Sequence, residues 1–427
     1  MVSLSGIVCS RWWAAGTYPA HPGSLIRRLS TQQGVTHHSV APTVTSPRTG
    51  TGRTAETLVR EKKRAPSRMT ILPQSIAKTY SYIIGVDTHA KKHVYAIITN
   101  SGEHLETRDF PTTSASIKRA IAWVDRRTGG DANTLWVIEG TASYGAILTG
   151  AVSDAGYTVA EAPGGYAKAG RGVGKTDPLD AQRMAAAALP VDCEKLRIPR
   201  QNDGARAALR VLVTARDMLA VERTKYVNAL TALLRVTLLG IDARKPLSNA
   251  QILEVAGWRT RDETIELRVA RAEAVRLARR IGELDTDIKE NSSEMSELVK
   301  LSEGKELLNV TGIGPVVAAV CVAAWSHPGR VRSEAAFASL AGVNPIPASS
   351  GNTVRHRLNR RGDRKLNKAL HTAALVRMTH DEETRAYVEK RTAEGKTIKE
   401  IRRCIKRFLA RRIFKILESA EMLPSKA

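Results

Sequence analysis

The sequence predicts an α/β domain, then a pair of long helices, then a basic, mainly α C-terminal domain. Three observations predict this. Between residues 81 and 200, short apolar runs of strand length alternate with helical stretches. Between 201 and 302, apolar residues recur at spacings of three and four through two long segments with few glycines. From 303 to 427, apolar helices are interleaved with Arg and Lys. A chain of 427 residues is long enough for two or three domains, each with its own core.

In order along the chain, residues 1–80 come first, as an extension outside the folded domains. Up to residue 68 they hold ten basic residues against Glu56 and Glu61, are rich in Ser, Thr, Gly and Pro, and show no sustained periodicity. Such a composition resembles an organelle transit peptide. A disordered or spuriously translated extension is the plainer reading, with Met69 an alternative start just ahead of the first strand. Tyr82–Val86 is an apolar run ending in Asp87; His93–Thr99 and Glu103–Phe110 are two further β-like runs, and the short polar turns predict antiparallel hairpins. Ser114–Arg127 reads as an amphipathic helix, Leu135–Ile138 as a buried strand ending at Glu139, Tyr144–Ala155 as a helix and Tyr157–Ala160 as a strand. A glycine-rich stretch, Pro163–Gly174, leads into a helix from about Asp177 to Ala188. The order βββ-α-β-α-β-α is that of an RNase H-like fold.

Ala205–Leu239 and Thr264–Leu301 follow as long helical patterns, the second with a stripe of Ile265, Val269, Leu277, Ile281, Leu284 and Ile288. A coiled-coil arm for dimerisation and the core of an ordinary helical bundle both fit such a stripe. In the last section Leu307–Ala324 predicts a helix-hairpin-helix, two helices joined by a tight turn at Gly312-Ile313-Gly314. Backbone N–H groups at that turn suit a nucleic-acid phosphate and read no base. Glycines serve plain helix–helix turns as well.

Lys and Arg number 66 against 42 Asp and Glu, a net charge of +24. That excess favours a polyanionic partner, because each phosphate neutralised releases condensed counterions; a very soluble protein or a membrane-surface binder are the alternatives. No run of about 18 apolar residues occurs, so no transmembrane span is expected. Cys9, Cys193, Cys321 and Cys404 lie far apart, with no CxxC and no adjacent histidine pair. This argues against a zinc site or a disulfide framework and fits a reducing cytoplasm.

Asp87 and Glu139 stand at the ends of the first and fourth strands, and Asp177 and Asp180 lie three residues apart at the start of a helix, so both face the same way. Pro178 suits a first helical turn. Strand ends and a helix start can thus gather four carboxylates in a small volume. Two unit charges about 4 Å apart repel by roughly 4 kcal/mol at an effective dielectric near 20. Divalent cations relieve this: hard Mg²⁺ prefers carboxylate oxygen, and two ions would stabilise the attacking and leaving oxygens of a phosphodiester. For any one of the four, a helix cap or a salt-bridge partner is the structural alternative, and Asp177 is a candidate N-cap. His89 and His93 read as surface residues of a hairpin rather than transition-metal ligands.

The second candidate region runs from Pro345 to Arg377. It holds Arg355, Arg357, Arg360, Arg361, Arg364, Lys365, Lys368 and Arg377 against Asp363, which is placed to cap the following helix. Ser349-Ser350-Gly351 is a flexible, hydroxyl-bearing turn before the basic run. A serine hydroxyl is a weak nucleophile until a base, a metal or nearby positive charge activates it, and arginines would hold the attacked phosphate. On its own, a Ser-Ser-Gly is an ordinary loop.

Together the segments GVDTHAKKH, VIEGTASYG, KTDPLDAQRMA, the LLNVTGIGP region and SSGNTVRHRLNRRGDRKLNKAL closely resemble one family, the bridge-RNA-guided insertion-sequence transposases, which are related to Piv-type DNA invertases. The resemblance runs from about Ile83 to Arg412. It implies a RuvC-like domain with Asp87, Glu139, Asp177 and Asp180 as metal ligands, and a C-terminal transposase domain. In that domain a serine of the SSG turn, placed at Ser350 with Ser349 the alternative, attacks DNA and forms a transient phosphoserine linkage. The resemblance also implies two Mg²⁺ ions per site, element-end and target DNA as substrates, a guide RNA, and a homodimer or higher oligomer. A prokaryotic, cytoplasmic enzyme that joins the nucleoid when DNA-bound follows from the same likeness. Asn352-Thr353 after the SSG departs from the family's more common glycine and basic residue.

Three other readings compete. A Piv-type invertase shares the two-domain pattern and differs in acting on an inverted DNA segment. A RuvC-like junction nuclease would use metal-activated water and have little use for the serine turn. A non-catalytic nucleic-acid-binding protein would use the carboxylates only as caps.

Overall fold

A computed structural model describes residues 74–163, 176–201, 203–349, 351 and 356–420. The extension up to residue 68, most of the glycine-rich stretch after Pro163, Ser350 and Arg355 lie outside these residues. The first described elements are α1 (Ile76–Thr79), β1 (Tyr82–Thr88), β2 (Lys92–Thr99), β3 (His104–Pro111) and α2 (Ser114–Thr128). They are followed by β4 (Thr134–Ile138), α3 (Ala146–Asp154), β5 (Thr158–Glu161) and α4 (Asp177–Ala188). The five strands form one mixed sheet in the order β3-β2-β1-β4-β5; β2 is antiparallel to β1 and β3, while β4 lies parallel to β1 and to β5.

Both faces of the sheet are covered, which is why its central strands are apolar at nearly every position. Period-two alternation separates the faces. Ile84, Val86, Tyr95, Ile97, Trp136 and Ile138 pack with Ile117, Trp123, Val124, Leu148 and Val152 from α2 and α3. Ile83, Ile98, Leu135 and Val137 face the other way, onto Met184, Ala185 and Ala188 of α4 and onto Ile76 of α1. The domain therefore takes in residues ahead of 81: Ile76 is fully buried, and its N–H donates to Val191 O. Gly85 is what lets α4 lie close. A Cβ there would meet Ala181 O at 2.0 Å and Ala185 N at 2.9 Å.

The long helices are α5 (Gly204–Val236), α6 (Asn249–Ala256) and α7 (Ile265–Lys300). α5 and α7 run antiparallel, tied by Arg223 to Asp285 (2.5 Å), Arg280 to Glu222 (2.9 Å) and Arg216 to Ile288 O (2.9 Å). The stripe on α7 is only partly a packing face. Leu277, Ile281 and Leu284 are buried, but Ile265 and Val269 are 71% and 61% exposed. Leu230, Leu234, Leu277 and Ile281 close over Ile252 and Val255 of α6, so one end of the pair has its own small core. At the other end Leu209, Val213, Met295 and Val299 enter the core of the C-terminal domain.

That domain contains α8 (Pro315–Trp325), α9 (Glu334–Leu340), the hairpin strands β6 (Pro345–Pro347) and β7 (His356–Leu358), α10 (Arg364–His380), α11 (Glu382–Ala393) and α12 (Ile398–Ser419). The first arm of the expected helix-hairpin-helix is a five-residue 3-10 helix, Lys305–Asn309, ahead of α8. Asp363 caps α10 as its position predicts, accepting from the N–H groups of Lys365 and Leu366. Among the described residues no helix is long and apolar enough to cross a membrane.

Candidate active site

Alternation along the strands places the acids. Residues 83, 85 and 87 of β1 and residues 135 and 137 of β4 share the face of the sheet against α4, so Asp87 and the following Glu139 are directed toward the start of that helix. Glu139 N–H donates to Val86 O at 3.0 Å, prolonging the parallel pairing, and Thr88 Oγ1 donates to Glu139 O at 3.0 Å. These two bonds hold the ends of β1 and β4 together. α4 begins at Asp177 with Thr176 as its N-cap and Pro178 in the first turn. Asp177 is therefore not the cap.

Ligating oxygens of Asp87 and Asp177 and a nitrogen of His89 all lie within 4.8 Å of one another. His89 Nε2 is 3.2 Å from Asp87 Oδ2 and 3.7 Å from Asp177 Oδ1. Burial pushes the Asp87 carboxyl above its ordinary value; His89 opposes this, and Glu139 and Asp177 add to it. An acid made costly to ionise by burial and by neighbouring acids, with oxygen donors converging on it, fits a divalent cation. Glu139 is exposed at the rim. Asp180 is buried on the same helix, but the contact it makes is with Arg183 Nη1 at 3.5 Å, and it stands outside the close group.

Of the two histidines, His89 is exposed on the turn between β1 and β2, as expected, while His93 is not. His89 is a member of the cluster, and no charge or spacing pattern in the sequence distinguishes it from a turn residue. His93 is 1% exposed, edge-on to Tyr95, and burial lowers its pKa. It points inward because β2 is covered on both sides.

The serine turn sits on the β6–β7 hairpin, whose register pairs Pro345 with Leu358, Ile346 with Arg357 and Pro347 with His356. Ser349 lies two residues past the end of β6 and Gly351 takes a left-handed φ of 56°. The hairpin is anchored at its base, where Asn359 Nδ2 donates to Asn344 Oδ1 at 2.7 Å and Asn367 Nδ2 to Ala341 O at 2.7 Å.

An α/β domain with acids at its strand ends, followed by a basic helical domain, has counterparts. Residues 84–238 match a family model described as a transposase, the DEDD transposase of IS110, and residues 304–389 match one described as the transposase IS116/IS110/IS902 family. The chain belongs to the IS110/IS116 family of insertion-element transposases. It is 27% identical over 366 residues to an insertion element IS900 uncharacterized 42 kDa protein of Mycobacterium paratuberculosis, covering 73% of this chain and 89% of that protein. An insertion element IS110 uncharacterized 43.6 kDa protein of Streptomyces coelicolor is 25% identical over 366 residues, or 74% and 88% of the two chains.

In this transposase most of the basic residues named from the sequence form an exposed set: Arg357, Arg360, Arg361, Arg364, Lys365 and Lys368 all reach solvent on β7, the loop after it and the first turns of α10, whereas Arg377 is buried and paired with Asp381 at 2.6 Å. Lys365 is also bound to Asp217 of α5 at 2.7 Å. Gly312 has a φ of 86°, and a Cβ on it would meet Ala373 O of α10 at 2.7 Å. Close packing therefore accounts for Gly312. Gly314 is exposed and forms the N-cap of α8.

Proposed function

We propose that this transposase moves an insertion element by cutting and rejoining DNA at Asp87, Glu139, Asp177 and Asp180, in a domain of RNase H-like, RuvC-like type spanning 81–200. The long helices (201–302) serve a homodimer or higher oligomer, and the transposase domain (303–427) supplies the serine, Ser350 or its neighbour Ser349. The approach of Asp87 and Asp177 beside Glu139 carries this reading. Mg²⁺, two ions per site, would be held by the four carboxylates, supplying charge neutralisation at the phosphodiester.

The chain's own residues account for the rest. Buried Asp87 fixes the depth of the site, and Thr88 holds Glu139 beside it. Arg357, Arg360, Arg361 and Arg364, with Arg355 before them, grip the DNA backbone, and Gly314 offers a helix N-terminus to a phosphate as in a helix-hairpin-helix. Attack by a seryl Oγ forms a P–Oγ ester and releases one strand end as a hydroxyl. The phosphodiester bond energy is retained, so a new strand's hydroxyl can reverse the step and complete exchange. Following the family resemblance, we assign the choice of element end and target to a non-coding guide RNA, and the place of action to a prokaryotic cytoplasm.

Asp87→Asn is expected to lower strand cleavage by more than about a hundredfold while leaving DNA affinity within about twofold. Cleavage should also vanish on chelation of divalent metal. Recombination by Asp87→Asn at the wild-type rate would sink the assignment.

A further inference from the structure

α11 and α12 leave a groove between them, away from the carboxylates and the serine turn, with buried Arg377 at its floor. Its volume is about 530 Å³, within the range of ligand sites, and its walls include Glu383, Tyr387, Phe408, Arg411, Arg412 and Lys415. Phe408 is 55% exposed on a helix whose exposed positions are otherwise mostly Arg and Lys. A lone exposed aromatic is unremarkable, but this one has a setting. Its ring meets Tyr387 edge-on at 6.0 Å, and the Arg391 guanidinium stands 5.8 Å from the Tyr387 ring centroid.

Arg411, Arg412 and Lys415 follow Phe408 by three, four and seven residues, so they share its side of α12. Arg411 is held by Glu334 at 2.8 Å. Among the described residues Arg412 and Lys415 form no ion pair within 4 Å, although Arg412 stands near enough to Asp381 to help hold that carboxyl below its ordinary value, and Glu383 is the acid in the groove wall. An aromatic surface beside two cations that no ion pair ties down matches an unpaired nucleotide, whose base stacks and whose phosphates want positive charge. A duplex keeps its base faces stacked inside. An acidic amphipathic helix would want a longer apolar strip, and the neighbouring Ile405 and Leu409 are buried.

We propose that the α11–α12 groove binds an unpaired nucleotide of a DNA strand, with Phe408 and Tyr387 taking the base and Arg412 and Lys415 the adjoining phosphates. This rests on the reading of the chain as a DNA strand-exchange enzyme and adds the form of DNA it holds at this place.

The test uses the full chain, in EDTA, with fluorescence anisotropy on labelled oligothymidylate of about 20 nucleotides, oligouridylate of equal length, and a blunt duplex. Phe408→Ala should weaken binding of the DNA single strand by about five- to a hundredfold and that of the duplex by less than about twofold. Phe408→Tyr should keep the wild-type affinity. Arg412→Ala with Lys415→Ala should flatten the log–log salt slope on the single strand by about 1.4. Unchanged single-strand affinity in Phe408→Ala, or an equal loss on duplex, overturns the proposal. A loss confined to oligouridylate also overturns it, making RNA the occupant. No cleavage is involved, so the outcome is separable from the carboxylate test: recombination by Asp87→Asn would remove the catalytic reading and leave a single-strand result standing.

Discussion

Gly85 has no reactive atom, yet Asp87 depends on it. Any side chain at 85 would press on the backbone of α4 at Ala181, and backbone in the middle of a packed helix has little room to give. Gly85→Ala should destabilise the fold by about 1–3 kcal/mol, read as a lower urea midpoint. It should also move Asp177 away from Asp87 and reduce metal-dependent cleavage in the protein that stays folded. A variant with unchanged stability would mean that α4 shifts freely over the sheet. In the proposed mechanism Ser350 is the other residue on which the chemistry turns. If it takes the DNA end, protein and labelled DNA should form a protease-sensitive slow band on denaturing gels, and Ser350→Ala should lose both that band and strand exchange while still binding DNA. A band that persists in Ser350→Ala makes Ser349 the next nucleophile to test. Recombination with no band under any trapping condition points to water.

The elements most exposed to the solvent carry the charge. β7, the loop after it and the start of α10 present Arg357, Arg360, Arg361 and Arg364 to solvent, where phosphate contact requires no burial. Arg360 and Arg361 lie between Asn359, which ties the hairpin to Asn344 and Ser339 O, and Asp363, which caps α10. Their backbone is therefore fixed at both ends while their side chains are exposed. Arg360→Ala with Arg361→Ala should flatten the log–log salt dependence of duplex binding by about one to two units, with no change in thermal midpoint beyond about a degree or two. An unchanged slope would place the phosphate contacts elsewhere.

At the scale of the molecule, the loop after α8 is where the parts meet. Ser326 adopts a φ of 76° and its carbonyl accepts from Arg206 of α5 at 3.4 Å, while Arg332 Nη1 donates to Glu194 O of the α/β domain at 3.1 Å. His327 is buried in this junction, and burial, then Arg330, then Arg206 push its pKa down to about 4. The folded state thus keeps His327 neutral where an unfolded chain, with an ordinary histidine near 6.5, binds a proton. Its contribution is present above pH about 6.5 and is lost as the pH falls to about 4, up to about 3 kcal/mol in all. Denaturation midpoints of the wild type should fall over that window more steeply than those of His327→Gln. Parallel pH profiles would show that the junction opens to water before it titrates.

Much of this could be read from residue order. Strands and helices of the α/β domain follow from period-two and period-3.6 patterns bounded by turn residues, and both are properties of neighbouring positions. Asp87 and Glu139 stand out in the sequence because they end apolar runs, and Asp177 because it opens a helix with Pro178 in its first turn. Partners distant along the chain leave no such trace. His89 reaches Asp177 only because α4 folds across the sheet, and α5 and α7 are tied through pairs more than fifty residues apart. The stripe on α7 looks continuous in the sequence, yet packing splits it, with Leu277 and Ile281 inside and Ile265 and Val269 in solvent. Local sequence determines which residues share a face of a helix or strand. Which face is covered, and which acid meets which neighbour, is decided by close packing between elements that the chain brings together only once it has folded.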